Sequence, residues 1–135
     1  WSEFRKKRMS YIFQGLELFE ELSVIENIQL KNRQNNTLNQ EEIFELASAF
    51  EIEDQMYKKA GKLSFGQKQR VAILRALCQP YDFLLADEIF SHLDSDITEK
   101  VFNVISRECE KNKAGLLFTS LSDNSILEFD EKFKV

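Results

Sequence analysis

The sequence predicts an α/β fold built on a parallel sheet, and three observations predict it. Short apolar runs at Met9–Phe13, Phe83–Ala86 and Leu116–Thr119 read as strands. The stretches between them carry apolar residues at helical spacing behind good capping residues. Gln14, Asp87, Glu88, Thr119 and Ser120 all fall at strand exits, the end of a parallel sheet where ligands bind.

The elements follow in order. Met9–Phe13 is a buried strand that opens into a loop at Gln14-Gly15. Between Leu16 and Leu30, the positions Leu18, Leu22, Ile25 and Ile28 suggest one or two helical turns, with Ser23 and Glu26 spaced as a capping box. Lys31 to Thr37 is polar and reads as a surface loop. Asn39 and Glu42 open a helix with Ile43, Phe44, Leu46, Ala47 and Phe50 on one face, and a shorter helical piece is expected over Glu53–Lys59. After the loop Ala60-Gly61-Lys62, a helix runs on from Ser64 to about Leu77. It must stop by Gln79, because Pro80 disfavours helical geometry in the residue before it.

Phe83–Ala86 is continuously apolar, as in a strand buried on both faces, and ends in the carboxylates Asp87 and Glu88. Ser95 or Asp96 is expected to cap a helix containing Ile97, Val101, Val104 and Ile105, and Gly115 precedes the strand Leu116–Thr119. Ile126–Phe129 and Phe133–Val135 read as a last strand and hairpin.

Composition narrows the function classes. A chain of 135 residues suits one domain, and 43% hydrophobic residues with one proline and four glycines excludes a disordered chain. The net charge of −5 argues against broad nucleic-acid binding, so the Arg5-Lys6-Lys7-Arg8 cluster reads as a solvated turn. Cys78 and Cys109 form no C-x-x-C pair and read as reduced, buried thiols of a cytosolic protein. No apolar run approaches the ~20 residues needed to span a bilayer, and Trp1–Ser10 has no secretory core. A membrane role would therefore run through a partner.

Leu63–Leu77 reads LSFGQKQRVAILRAL: Ser64 and Gln67 are spaced as a capping box, and Gly66 leaves the first turn bare, which suits an anion. This stretch resembles the signature motif of the ATP-binding-cassette (ABC) ATPases, LSGGQ-x-QR-x-x-x-A-R-A, at Leu63, Ser64, Gly66, Gln67, Gln69, Arg70, Arg75 and Ala76. Phe83–Glu88 is similar to the family's Walker B strand, Ser91-His92-Leu93-Asp94 to its D-loop, and Phe13-Gln14 with the segment after it to its Q-loop. Together these motifs span the chain from Tyr11 to Ser120.

The resemblance implies a P-loop NTPase-like parallel sheet with helices on both faces plus an α-helical subdomain, lacking the Walker A strand and loop. It divides the chain into a Q-loop strand (1–15), a helical and signature part (16–80) and a Walker B and C-terminal part (81–135). It implies MgATP as the ligand. Ser64, Gly66 and Gln67 would meet the γ-phosphate, Asp87 and Gln14 would attend Mg²⁺, and Glu88 would orient the attacking water. Asp94 would lie at the interface with a second, head-to-tail ATPase domain, and the segment after Gln14 would touch a membrane permease. That segment, ending ELSVIENI, looks most like exporters and lipoprotein-release systems. The location implied is cytoplasmic, at the inner face of the cell membrane, with no nucleic-acid partner.

The pattern also breaks. No G-x-x-x-x-G-K-[ST] occurs in these 135 residues, so the chain reads as truncated before its Q-loop and as inactive alone. Phe65 replaces a signature glycine, Ile89-Phe90 replace the usual Pro-Thr, and Ser120 stands where the family has its switch histidine, too short for the same contact. Loss of the phosphate-loop strand predicts an unpaired sheet edge and a tendency to associate. Two other readings fit these departures: a degenerate regulatory or structural partner of an ABC ATPase, and the C-terminal lobe of a DNA-repair or chromosome-maintenance ATPase. His92 reads as an exposed polar residue and not a catalytic base.

Overall fold

The computed structural model describes residues 9–121 and 127–132. Its sheet holds β1 (Met9–Ile12), β2 (Phe83–Asp87) and β3 (Gly115–Thr119) in the order β1-β2-β3, all parallel. Met9 pairs with Phe83 and Phe83 with Gly115, so Gln14, Asp87, Glu88 and Ser120 emerge at one end of the sheet. The basic cluster at 5–8 lies outside the described residues.

Four helices connect the strands: α1 (Val24–Asn35), α2 (Gln40–Ala49), α3 (Phe65–Leu77) and α4 (Ser95–Lys111). The first three open with reciprocal capping boxes, Ser23 with Glu26, Asn39 with Glu42, and Ser64 with Gln67. Each box satisfies two N–H groups that a helix start would otherwise leave unpaired. Residues from all four helices share one apolar core with the sheet, including Ile28, Ile43, Phe50, Ile73, Leu74, Leu84 and Ile105.

Several expectations need correction. α1 runs on through Lys31–Asn35, where a loop was expected. Its polar residues include Asn32, which is buried and exchanges hydrogen bonds of 2.8 and 2.9 Å with the Leu38 backbone. The turn then closes on Asn36, in the left-handed conformation that asparagine tolerates. Over Glu53–Lys59 only the 3₁₀ turn Glu53–Gln55 forms, and Lys59 instead bridges Ser23. The cap of α4 is Asp94, whose Oδ1 accepts from the Ile97 N–H at 2.9 Å, and neither Ser95 nor Asp96. Residues 127–129 form no strand, while Ile126 and Phe133–Val135 lie outside the described residues.

The sheet is covered on one face. Ser10, Ile12, Leu84 and Ala86 are buried on that side, where the Ser10 hydroxyl donates to the Ala76 carbonyl of α3 at 2.8 Å. Phe118 continues the layer through Phe90 and Phe129 to Phe102 of α4. The opposite face presents Met9, Tyr11, Phe83 and Leu117, with Phe83 55% and Leu117 59% exposed. Burial of β2 on both faces, and helices on both sides of the sheet, are thus met on one side among the described residues.

Candidate functional site

The start of α3 is a donor-rich turn. Ser64 N–H donates to Gln67 Oε1 at 2.9 Å, and Gln67 N–H donates to Ser64 Oγ at 3.2 Å. The box leaves the Phe65 and Gly66 N–H groups, the Ser64 O–H and the Gln67 amide N–H₂ as donors for an anion at the positive end of the helix. The Phe65 ring packs in a T-shaped contact with His92, centroids 4.3 Å apart.

At the end of β2, Asp87 and Glu88 are half-buried and bound to the end of β3. Thr119 Oγ1 donates to Asp87 Oδ1 at 2.5 Å, and the Glu88 N–H donates to the Thr119 carbonyl at 3.1 Å. The Leu121 N–H donates to Glu88 Oε1. Glu88 itself has φ 52°, a left-handed conformation that a non-glycine residue adopts at a cost of about 1–3 kcal/mol. Ser120 lies between these two backbone contacts, exposed at the same end of the sheet.

The loop after β2 folds back on the start of α3. A Cβ on Gly66 would stand 3.0 Å from the His92 carbonyl and 3.3 Å from Leu93 Cδ2, so glycine permits this close approach. Gln69, 1% exposed, donates from Nε2 to Ser91 Oγ at 3.2 Å, and Ser91 Oγ donates to the Glu88 carbonyl at 3.3 Å. Asp94, exposed at the end of this loop, spends one carboxylate oxygen on capping α4.

Gln14 lies exposed in the turn after β1. Beyond Gly15, Leu16 and Glu17 both have positive φ, 61° and 48°. Arg75 holds them, donating to the Leu16 carbonyl at 2.9 Å and the Glu17 carbonyl at 2.8 Å. Burial draws the Arg75 guanidinium below the usual arginine value, with the Glu17 charge opposing. Farther on, fully buried Asn27 accepts from the Phe19 N–H at 2.8 Å and donates to the Phe19 carbonyl at 3.0 Å and the Ser23 carbonyl at 2.9 Å.

The structure thus joins Ser64, Gly66 and Gln67 to the Asp94 loop, and Asp87 and Glu88 to the Thr119–Leu121 segment. Gln14 shares the sheet end with the carboxylates. Gln69, Ser91, Thr119 and Asn27 carry polar contacts that no role was assigned from sequence. One signal for Gln69 existed: it occupies the apolar stripe of α3 with Ala72, Ile73 and Ala76, where a polar residue needs a partner.

Comparison with known proteins decides the family. The sequence model described as ABC transporter matches residues 1–91. The chain belongs to the ABC transporter family. It is 37% identical over 117 residues to the lipoprotein-releasing system ATP-binding protein LolD of Leptospira interrogans, covering 85% of this chain and 49% of that one. To the thiamine import ATP-binding protein ThiQ of Escherichia coli O157:H7 it is 35% identical over 120 residues, covering 87% and 52%. Among solved structures, the dimeric bacterial ABC transporter cassette MJ0796 matches with a TM-score of 0.73 and 29% identity, over 87% of this chain and 54% of that one. A second structure of that cassette, bound to ADP and Pi, matches equally. This ABC chain spans about half the length of the relatives it matches.

Among the described residues no three His, Cys, Asp or Glu side chains form a metal cage. The carboxylates present fit Mg²⁺, which usually takes one or two carboxylates together with phosphate and water. Thr119 engages Asp87 Oδ1, and no hydrogen bond to Oδ2 occurs among the described residues. No helix among the described residues is long and apolar enough to cross a membrane.

Proposed function

We propose that these residues form the helical and C-terminal catalytic portion of an ABC transporter ATP-binding subunit, which couples MgATP binding and hydrolysis to a membrane permease. The observation that carries this reading is the Gly66–His92 approach. It sets a turn of free amides beside the loop that leaves the Asp87–Glu88 strand end.

Each group has a task that its surroundings support. The α3 start offers N–H and O–H donors to the terminal phosphate of a nucleotide held by a second, head-to-tail cassette. Asp87, with Gln14 at the same sheet end, would hold Mg²⁺, which neutralises phosphate charge. Glu88 Oε1 accepts from the Leu121 N–H, and the carboxylate is placed to orient a water and take its proton. Ser120 would border the phosphate from the switch position. Asp94 faces the second cassette while it fixes the start of α4.

The permease reading is supported by an open groove of about 420 Å³ on α1, lined by Leu22, Ile25, Gln29 and Leu30 with Glu26 and Arg33 at its rim. It lies in the segment after Gln14 that the family resemblance assigns to the membrane partner. Through that partner the subunit would sit at the cytoplasmic face of the membrane.

The test uses the chain with the complete LolD cassette of Leptospira interrogans. MgATP should shift the Phe65 and Gly66 amide resonances only when LolD is present, and Ser64→Arg should abolish the shift. Unmoved resonances with both present would overturn the reading. Alone, the chain should release no phosphate above a Glu88→Gln control, because no phosphate loop occurs in these residues.

A further inference from the structure

Three contacts of different kinds lock the loop after β2 to α3: the Gln69–Ser91 hydrogen bond, the Gly66 approach to the His92 carbonyl, and the Phe65–His92 ring edge. Only the first reaches back to Glu88, because the Ser91 hydroxyl passes the link to the Glu88 carbonyl. Glu88 needs such a link. A left-handed glutamate persists only where its surroundings over-determine the turn, and its backbone is held from two sides, by the Thr119 carbonyl on its N–H and by Ser91 on its carbonyl.

We propose that Gln69 is a positioning residue for Glu88. Acting through Ser91, it fixes the turn that aims the Glu88 carboxylate, and so couples the donor-rich start of α3 to the carboxylate end of β2 inside one chain. The side chain suits this task. Among the described residues the Gln69 amide makes one hydrogen bond, from Nε2 to Ser91 Oγ. It is also 1% exposed, so water does not substitute for Ser91. A shift of α3 along its axis would move Nε2 off Ser91 and loosen the Glu88 turn.

What the coupling serves rests on the ATP-binding reading above, but its existence does not. Amide hydrogen exchange on the full chain without nucleotide therefore decides it separately. Ser91 is exposed, so Ser91→Ala removes the relay without opening the core. In Ser91→Ala and Gln69→Met, exchange at the Glu88 and Leu93 amides should quicken about fivefold, the effect of one hydrogen bond of ordinary net strength. The Asn27 and Ile43 amides should keep their wild-type rates, and Ser91→Thr, which retains the hydroxyl, should match wild type at Glu88. Unchanged exchange at Glu88 in Ser91→Ala, or a rise shared equally by Asn27 and Ile43, would overturn the proposal.

Discussion

Thr119 Oγ1 lies 2.5 Å from Asp87 Oδ1, a bond between the last residues of two neighbouring parallel strands. It gives the Asp87 carboxylate a fixed rotamer from outside its own strand. Thr119→Val keeps the shape and removes the donor. It should cost at most about 1 kcal/mol in urea unfolding, because Thr119 is exposed, while Thr119→Ser stays near wild type.

Asn27 should matter more. Its amide holds both backbone groups of Phe19 and the Ser23 carbonyl with no exposure to water. Asn27→Ala strands several of these partners in the interior and should lower stability by about 2–3 kcal/mol, read from the urea midpoint at unchanged slope.

The thiols predict a pH dependence. Burial pushes Cys78 up to about 12 and Cys109 up to about 11. Folding therefore favours the protonated thiols. Their contribution is full below the ordinary value of 9.0 and is lost as pH rises through the folded values. Unfolding midpoints should fall between pH 9 and 11, less steeply in Cys78→Ala. Both thiols should stay silent to Ellman's reagent at pH 8 until the chain is unfolded.

Among the described residues one face of the sheet is open, and that face predicts association. Parallel sheets are ordinarily covered on both sides, and an apolar patch of this kind seeks a cover. Sedimentation of the chain should show concentration-dependent self-association, and Phe83→Lys with Leu117→Lys should suppress it without lowering the urea midpoint. Identical sedimentation of variant and wild type would remove the open face as its cause.

The parts of the structure legible in sequence were those written within a few residues. Ser23 with Glu26, Asn39 with Glu42, and Ser64 with Gln67 each announce a helix start because both halves of the cap lie three residues apart. The strand exits were legible for the same reason, an apolar run broken by polar groups. Where the expectation differed, the deciding contact came from farther off or from an unexpected neighbour. The polar tail of α1 is kept helical with Asn32 buried against Leu38, and Asp94, already assigned to an interface, also caps α4. The Gln69–Ser91 bond joins residues from two elements, and no local pattern states it. The exposed side of β2 was hidden because an apolar run does not say which face its neighbours cover.

The capping box at Ser64 has a consequence for the resting protein. Were the α3 start simply four bare N–H groups, an empty site would be frustrated and would favour any passing anion. Here Gln67 Oε1 takes the Ser64 N–H and Ser64 Oγ takes the Gln67 N–H, so half of that demand is met from within the chain. The idle state is content, and a weak or stray anion gains little by binding. On the ATP-binding reading proposed above, a ligand must bring contacts from elsewhere, and this turn would then answer to a completed assembly more than to free phosphate in solution.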